Sequence, residues 1–251
     1  MQKLLFFLGF LFCYTLVNAQ VINIENLRKD VDDTGFYGTV SLDLELSKNT
    51  NTIFAISNEL RLQYTSGKNN FMLINEVDFK ELNKNKYTNK SVQHLRYNYS
   101  LTKTTTLEAF IQIQKDRVSF INHRTLIGAG TRFKISKKPN YRFFIGTLIM
   151  YEHENSLGVH QDVIDQDFRA NMYVSFGLYP SKNLRIINTT YYQPKIKTFS
   201  DYRVSSETTL GITVFRNLLI TTSFSYQFDT LPVLGVPLTQ YKLENGITYT
   251  F

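Results

Sequence analysis

The chain changes character at every second residue, and it does so repeatedly along its length. Phe54, Ile56, Leu60, Leu62 and Tyr64 fall on one face of an extended segment, and Ala55, Ser57, Glu59, Arg61 and Gln63 on the other. Leu95, Tyr97, Tyr99 and Leu101 alternate in the same way with His94, Arg96, Asn98 and Ser100. Leu107, Ala109, Ile111 and Ile113 alternate with Glu108, Phe110, Gln112 and Gln114. The final segment, Tyr241 to Phe251, repeats the pattern with one break at Asn245 and ends on phenylalanine. A two-residue period marks strands with one apolar and one polar face. No segment sustains a helical period.

Such runs lie near 36–47, 52–64, 70–80, 90–101, 104–115, 124–136, 141–154, 168–179, 183–193, 202–214, 217–228 and 239–251. Their number, about twelve, is even, as in bacterial single-chain transmembrane barrels. Turn-forming residues bound them, and proline falls largely in the connections. A register slip of one residue would carry Glu59 and Arg61 into hydrocarbon, at about 2–4 kcal/mol for a mid-bilayer arginine. Strands cross lipid only in a closed barrel, where no backbone edge is left unpaired. The expected fold is therefore all-β, a transmembrane antiparallel up-and-down barrel of about 12 strands. Its C-terminal strand pairs back onto the one near Phe36–Ser47.

The N-terminus fits export. Lys3 precedes an apolar run from Leu4 to Val17, and small residues close it at Val17-Asn18-Ala19 before Gln20. That is a secretory signal peptide, too short to span a bilayer. The expected division is a signal peptide over 1–19, a periplasmic leader over 20–35 and the barrel over 36–251. The single cysteine, Cys13, lies in the signal behind Leu11 and Phe12, where a lipoprotein signal needs small residues. Disulfides and thiolate metal sites are thus excluded from the mature chain. With 43% hydrophobic residues and a mean hydropathy of −0.21, the chain is too polar for a helical membrane protein and suits a barrel. The net charge of +7 favours solubility and contact with anionic headgroups, and no basic cluster points to nucleic acid. The expected location is the outer membrane. The expected partners are outer-membrane lipid, lipopolysaccharide and the barrel-assembly machinery, with the chain a monomer.

Connection lengths carry a second pattern. Those near 65–69, 102–103, 137–140, 180–182 and 215–216 are short, and those near 81–89, 116–123, 155–167, 194–201 and 229–238 are longer. The interleaving places both termini in the periplasm, with Lys48-Asn49-Thr50-Asn51 as the one tight outer turn. Tryptophan is absent, so the interfacial girdles fall to 16 tyrosines and 20 phenylalanines. Tyr64, Tyr99, Tyr141, Tyr151, Tyr179, Tyr226 and Tyr249 sit at expected strand ends.

Several stretches resemble domain of unknown function family 481, uncharacterised outer-membrane barrels that include the salt-induced outer membrane protein. They are Asn23-Ile24-Glu25, His94-Leu95-Arg96-Tyr97-Asn98-Tyr99, Glu108-Ala109-Phe110-Ile111-Gln112, Leu126-Ile127-Gly128-Ala129-Gly130, Tyr151-Glu152, Tyr191-Tyr192-Gln193-Pro194 and Phe228-Asp229-Thr230-Leu231-Pro232. The resemblance implies an outer-membrane barrel linked to osmotic stress and supplies no catalytic residue. Leu243, Ile247, Tyr249 and Phe251 look like the C-terminal signal of the barrel-assembly machinery.

The polar faces place Glu59, Arg61, His94, Arg96, Glu108, Arg132, Arg203, Glu207, Lys242 and Glu244 in the lumen. Mixed signs let them pair and close the interior, or line a narrow aqueous path. His94 faces the lumen; Asn98 and Ser100 lie one or more strand steps of about 7 Å away and do not meet it directly, which leaves a serine on a neighbouring strand as its one route to a nucleophile. A lipid hydrolase built on it is the weakest reading, and no catalytic residue, cofactor or metal site is assigned. Glu152, His153, Glu154, His160, Asp162, Asp165 and Asp167 crowd an expected loop over 152–167 but lack the spacing of a calcium loop; a solvated acidic loop is expected, with a divalent-cation site shared with lipopolysaccharide as the alternative. The function read from the sequence is a conduit or binder for small solutes. The alternative is a closed structural or stress-related envelope barrel.

Overall fold

Alternation decides the architecture because each segment can bury only one face. The computed structural model describes residues 34–48, 52–82, 85–117, 119–136, 138, 140–157 and 162–251, with backbone alone at 44–48, 52–54, 80–82 and 85–89. The expected signal peptide, most of the leader and His160 lie outside the described residues.

Twelve strands form: β1 Gly35–Lys48, β2 Thr52–Ser66, β3 Asn69–Leu82, β4 Asn85–Ser100, β5 Thr105–Asp116, β6 Ile121–Lys134, β7 Tyr141–Leu157, β8 Asp162–Ser181, β9 Leu184–Pro194, β10 Tyr202–Phe215, β11 Leu218–Asp229 and β12 Thr239–Thr250. Each pairs antiparallel with its neighbours in sequence, and β12 returns to β1 to close the barrel. No helix among the described residues is long and apolar enough to cross a membrane. The seam pairs Thr39–Asp43 with Gly246–Thr250. Phe251 extends it by exchanging two backbone hydrogen bonds of 2.9 Å with Gly38. A side chain at Gly38 would meet the Phe251 ring at 2.2 Å, so the terminal ring lies flat on the outer wall only because that position is glycine.

Large apolar side chains point outward around the barrel. Ile149 is 59% exposed, Leu243 64% and Ile127 51%. An apolar exterior over a polar interior inverts a soluble core and matches a wall set in hydrocarbon. Aromatic rings gather at both rims of this belt. Phe71 meets Tyr97 at 4.9 Å and Tyr249 meets Phe251 at 6.4 Å near the end that holds the termini. Tyr151 and Phe168 at 5.3 Å, with Tyr192, Tyr202 and Phe228, edge the other rim. Tyr64, Tyr141 and Tyr249 are exposed as girdle residues should be. Tyr179 is not one of them: it shares the inward face of β8 with Gly177 and lies under the Arg142 guanidinium at 4.9 Å.

The expected contrast in connection length holds only for Lys195–Asp201 and Thr230–Leu238. Strands β7 and β8 pair as far as Leu157 and Asp162, so the expected loop over 152–167 is mostly ladder. Strands β3 and β4 likewise pair to Leu82 and Asn85. The apolar alternation reports where lipid stops, whereas backbone hydrogen bonding continues beyond it. Polar outward residues mark that overhang: His153 bonds Gln166 and His123 bonds Thr125.

Candidate functional site in the barrel interior

The inward faces of twelve strands converge on a space that is filled unevenly. On β4 and β5 the inward residues are sealed: Val92, His94, Arg96, Phe110 and Gln112 are each at most 7% exposed. Phe110, Leu126, Leu148, Met150, Tyr173 and Tyr191 form an apolar cluster inside the barrel on β5–β9. Tyr173 reaches its place because β7 carries Gly146 opposite it; a Cβ there would sit 2.0 Å from the ring. From that position the Tyr173 hydroxyl donates to Glu108 Oε2 at 2.9 Å, and Arg96 Nη1 donates to the same oxygen at 2.9 Å. The bond joins β8 to β5, three strands apart, and braces the interior. Beside it Arg96 Nε donates to His94 Nε2 at 3.3 Å, and His94 Nδ1 donates to Gln112 Oε1 at 3.0 Å. Both ring nitrogens of His94 are therefore engaged, and its ring stacks on Phe110 at 5.3 Å.

On the opposite wall, water still reaches the inward residues. Glu59 is 23% exposed, Lys242 21% and Glu244 22%. Glu207 on β10 is also half-buried, held by Thr209 at 3.3 Å and Ser225 at 3.5 Å. Arg61 bonds Glu59 at 3.3 Å and Lys90 bonds Glu76 at 2.6 Å. Lys242 bonds Glu244 and reaches across to Asp78 on β3 at 3.6 Å. Arg132, on the inward face of β6, lies over the Phe144 ring at 3.6 Å.

At the end away from the termini the interior opens into a cavity of about 520 Å³. Glu152 is the hub of its wall. It accepts from Arg169 at 2.6 Å and from Arg203 at 2.5 Å, and lies 3.2 Å from Arg124. Glu154 takes Arg124 Nε at 2.7 Å, Asp229 takes Arg203 at 2.7 Å, and Asp201 takes Arg169 at 3.2 Å. Beyond the end of β9, Lys195 is ringed by Asp165 and Asp167 at 2.8 Å and Asp201 at 3.0 Å. Burial works against its charge, but the hydrogen bonds it donates to the three carboxylates outweigh that and hold its pKa above the ordinary 10.5. The acidic stretch over 152–167 is thus an ion-pair network on strands, its carboxylates turned toward guanidinium and ammonium groups. Among the described residues no group of histidine or carboxylate side chains is arranged to hold a metal ion.

The sequence profile of a family described as a protein of unknown function, DUF481, matches residues 39–251. The chain belongs to that family. No curated protein matches it. Three solved structures of similar shape are distant from it in sequence. A NanC porin shares 9% identity with a TM-score of 0.54, covering 85% of this chain and 98% of its own. An outer-membrane channel from Pseudomonas putida F1 shares 9% identity with a TM-score of 0.54, covering 92% of this chain and all of its own. The translocator domain of an autotransporter from Neisseria meningitidis shares 8% identity, again with a TM-score of 0.54, covering 87% and 90%. This DUF481 chain therefore has the closed-barrel fold found in outer-membrane porins and channels.

The ten residues that the alternation assigns to the lumen all lie on inward strand faces. Arg61, His94, Arg96, Glu108 and Arg132 are buried, and Glu59, Arg203, Glu207, Lys242 and Glu244 are half-buried. The tertiary structure separates them into the sealed wall, the water-reached wall and the cavity. Leu243, Ile247, Tyr249 and Phe251 are each at least half exposed on the outer wall. Sequence reasoning put Glu152 and Glu154 in a loop rather than on an inward strand face, and missed Arg169 and Tyr173. Their parity held the clue: Glu152 and Glu154 continue the inward phase of Leu148 and Met150, and Arg169, Asn171 and Tyr173 keep one phase along β8.

Proposed function

We propose that this protein is an outer-membrane barrel whose interior forms a narrow aqueous conduit for small solutes, without enzymatic activity. The uneven filling of the interior carries the reading. Side chains on β4 and β5 are sealed against the apolar cluster, while Glu59, Glu207, Lys242 and Glu244 on the facing wall stay reachable by water below an open cavity. A plug built only for stability has little use for half-hydrated ion pairs, because replacing such pairs with well-packed apolar groups is often as stable or more so. The outward belt suits lipid, the overhang suits lipopolysaccharide, and Leu243, Ile247, Tyr249 and Phe251 suit the barrel-assembly machinery. A signal peptide over 1–19 delivers the chain, which acts as a monomer. Purified protein in planar bilayers gives discrete conductance steps on this reading. A silent bilayer at high protein dose removes it.

A closed, stress-related envelope barrel is the second reading. Its support is the set of contacts that cross three strands: Tyr173 to Glu108, Lys242 to Asp78 and Arg203 to Glu152. That barrel predicts no conductance and impaired growth of a deletion strain in high salt. A lipid hydrolase has the least support, since Gln112 and Arg96 engage both nitrogens of His94. Unchanged outer-membrane lipid in His94→Ala disposes of it.

A further inference from the structure

The water-reached wall carries an imbalance of sign. Asp43 on β1, Glu59 on β2, Glu76 on β3, Glu207 on β10 and Glu244 on β12 turn inward on neighbouring strands. They share one electrostatic neighbourhood. Glu59 and Glu76 stand opposite each other across β2 and β3. Asp43 lies in the field of Glu244, Lys242, Asp78 and Glu76, Glu59 in that of Arg61, Glu76, Asp43 and Glu244, and Glu207 in that of Glu59, Glu244 and Glu76. The Asp43 carboxylate reaches the seam because β12 carries Gly246 opposite it; a side chain there would overlap Oδ1. With Asp78 the group has six carboxylates. Arg61, Lys90 and Lys242 lie among them, and Lys90 is shared with Asp116 on β5. Across the interior Arg96 is taken by Glu108 and Arg132 lies over the Phe144 ring, and much of the remaining wall is apolar, with Phe110, Leu148, Tyr173 and Tyr191.

A second observation points the same way. Ser205 on β10 and Gln240 on β12 face inward, one strand step outward from Glu207 and Lys242, and both border the cavity. They are 7% and 6% exposed, and neither the Ser205 hydroxyl nor the Gln240 carbonyl oxygen has a hydrogen-bond partner in the structure. Buried oxygens without donors are costly unless a donor or cation visits them. Together with the carboxylates they continue a line of oxygen acceptors from the cavity floor to mid-barrel. We infer that the conduit is selective for small cations, inorganic or amine-bearing, and that this half-ring of carboxylates sets the selectivity. A low-dielectric wall opposite the acids focuses their field into the remaining water.

The inference rests on the conduit reading, and one recording separates the two. Full-length protein, folded into planar bilayers of uncharged lipid, is placed in a steep potassium chloride gradient. The reversal potential is expected to report a cation-to-anion permeability ratio of roughly 10 or more. Asp43→Asn combined with Glu207→Gln lowers that ratio toward one while conductance persists. Asp162→Asn, exposed and outside the cavity lining, leaves it unchanged. Heat-modifiable gel migration checks that each variant is folded, and Glu244→Gln serves if the double variant is not. A conducting channel that prefers anions, or has a ratio near one, overturns the selectivity and leaves the conduit standing. So does a double variant with an unchanged ratio. A silent bilayer overturns both.

Discussion

Replacing Glu152 by glutamine tests the ion-pair hub with almost no change of shape. The carboxylate is 1% exposed and accepts from Arg169 and Arg203 while lying 3.2 Å from Arg124. Breaking a buried pair by neutralising one partner costs about 3–5 kcal/mol, because the remaining charge is left uncompensated. Two features place this variant at the lower end. Each guanidinium keeps another carboxylate: Asp201 for Arg169, Asp229 for Arg203 and Glu154 for Arg124. The adjoining cavity also admits water. The expected loss is therefore about 3 kcal/mol. With a urea slope of about 2–3 kcal/mol/M, the unfolding midpoint falls by roughly 1–1.5 M in lipid vesicles. Asp165→Asn is the control, since that carboxylate is 41% exposed and its loss should cost at most about 1 kcal/mol. A loss below about 1 kcal/mol for Glu152→Gln would show that cavity water, not Glu152, neutralises the arginines.

Other perturbations reach other parts of the wall. Gly146→Val drives a branched side chain into the Tyr173 ring, and overpacking of about 1–3 kcal/mol should appear as an earlier urea midpoint. Tyr173→Ala removes the brace to Glu108, so single-channel conductance should rise; an unchanged value would place the narrowing elsewhere. Gly38→Val displaces the Phe251 ring at the closing seam, and the heat-modifiable fraction should fall after refolding into lipid. Lys195 has a raised pKa, so its stabilising charge is fully present below the ordinary value of 10.5 and is lost only as pH rises through the raised one. The stability difference between the native chain and Lys195→Met should therefore be flat up to about pH 9 and shrink only in stronger alkali.

Strand number and facing were legible in the chain because both are local. Glu59 and Arg61 cannot face hydrocarbon, so the register of β2 follows from its own residues. The overhang of β7 and β8 was not legible. Glu152, His153 and Glu154 read as loop once the apolar alternation ends, yet backbone pairing needs no apolar side chain to continue. Tyr179 misled for a related reason: a tyrosine at a strand end suits a girdle or the interior, and the inward phase it shares with Gly177 decides. The DUF481 resemblance added family and fold, and it was silent on the interior.

The sequence alone therefore determined a closed barrel of about twelve strands, with polar residues inside and apolar residues outside. Alternation and the cost of unpaired backbone in lipid leave no other arrangement. Only the tertiary structure decided what the interior does with its charges. Which carboxylate meets which guanidinium depends on the register carried around all twelve strands, and Asp78 and Lys242 meet across the interior from positions 164 residues apart in the chain. That register seals one wall with Tyr173 and Phe110 and leaves Glu59, Glu207 and Glu244 in contact with water on the other.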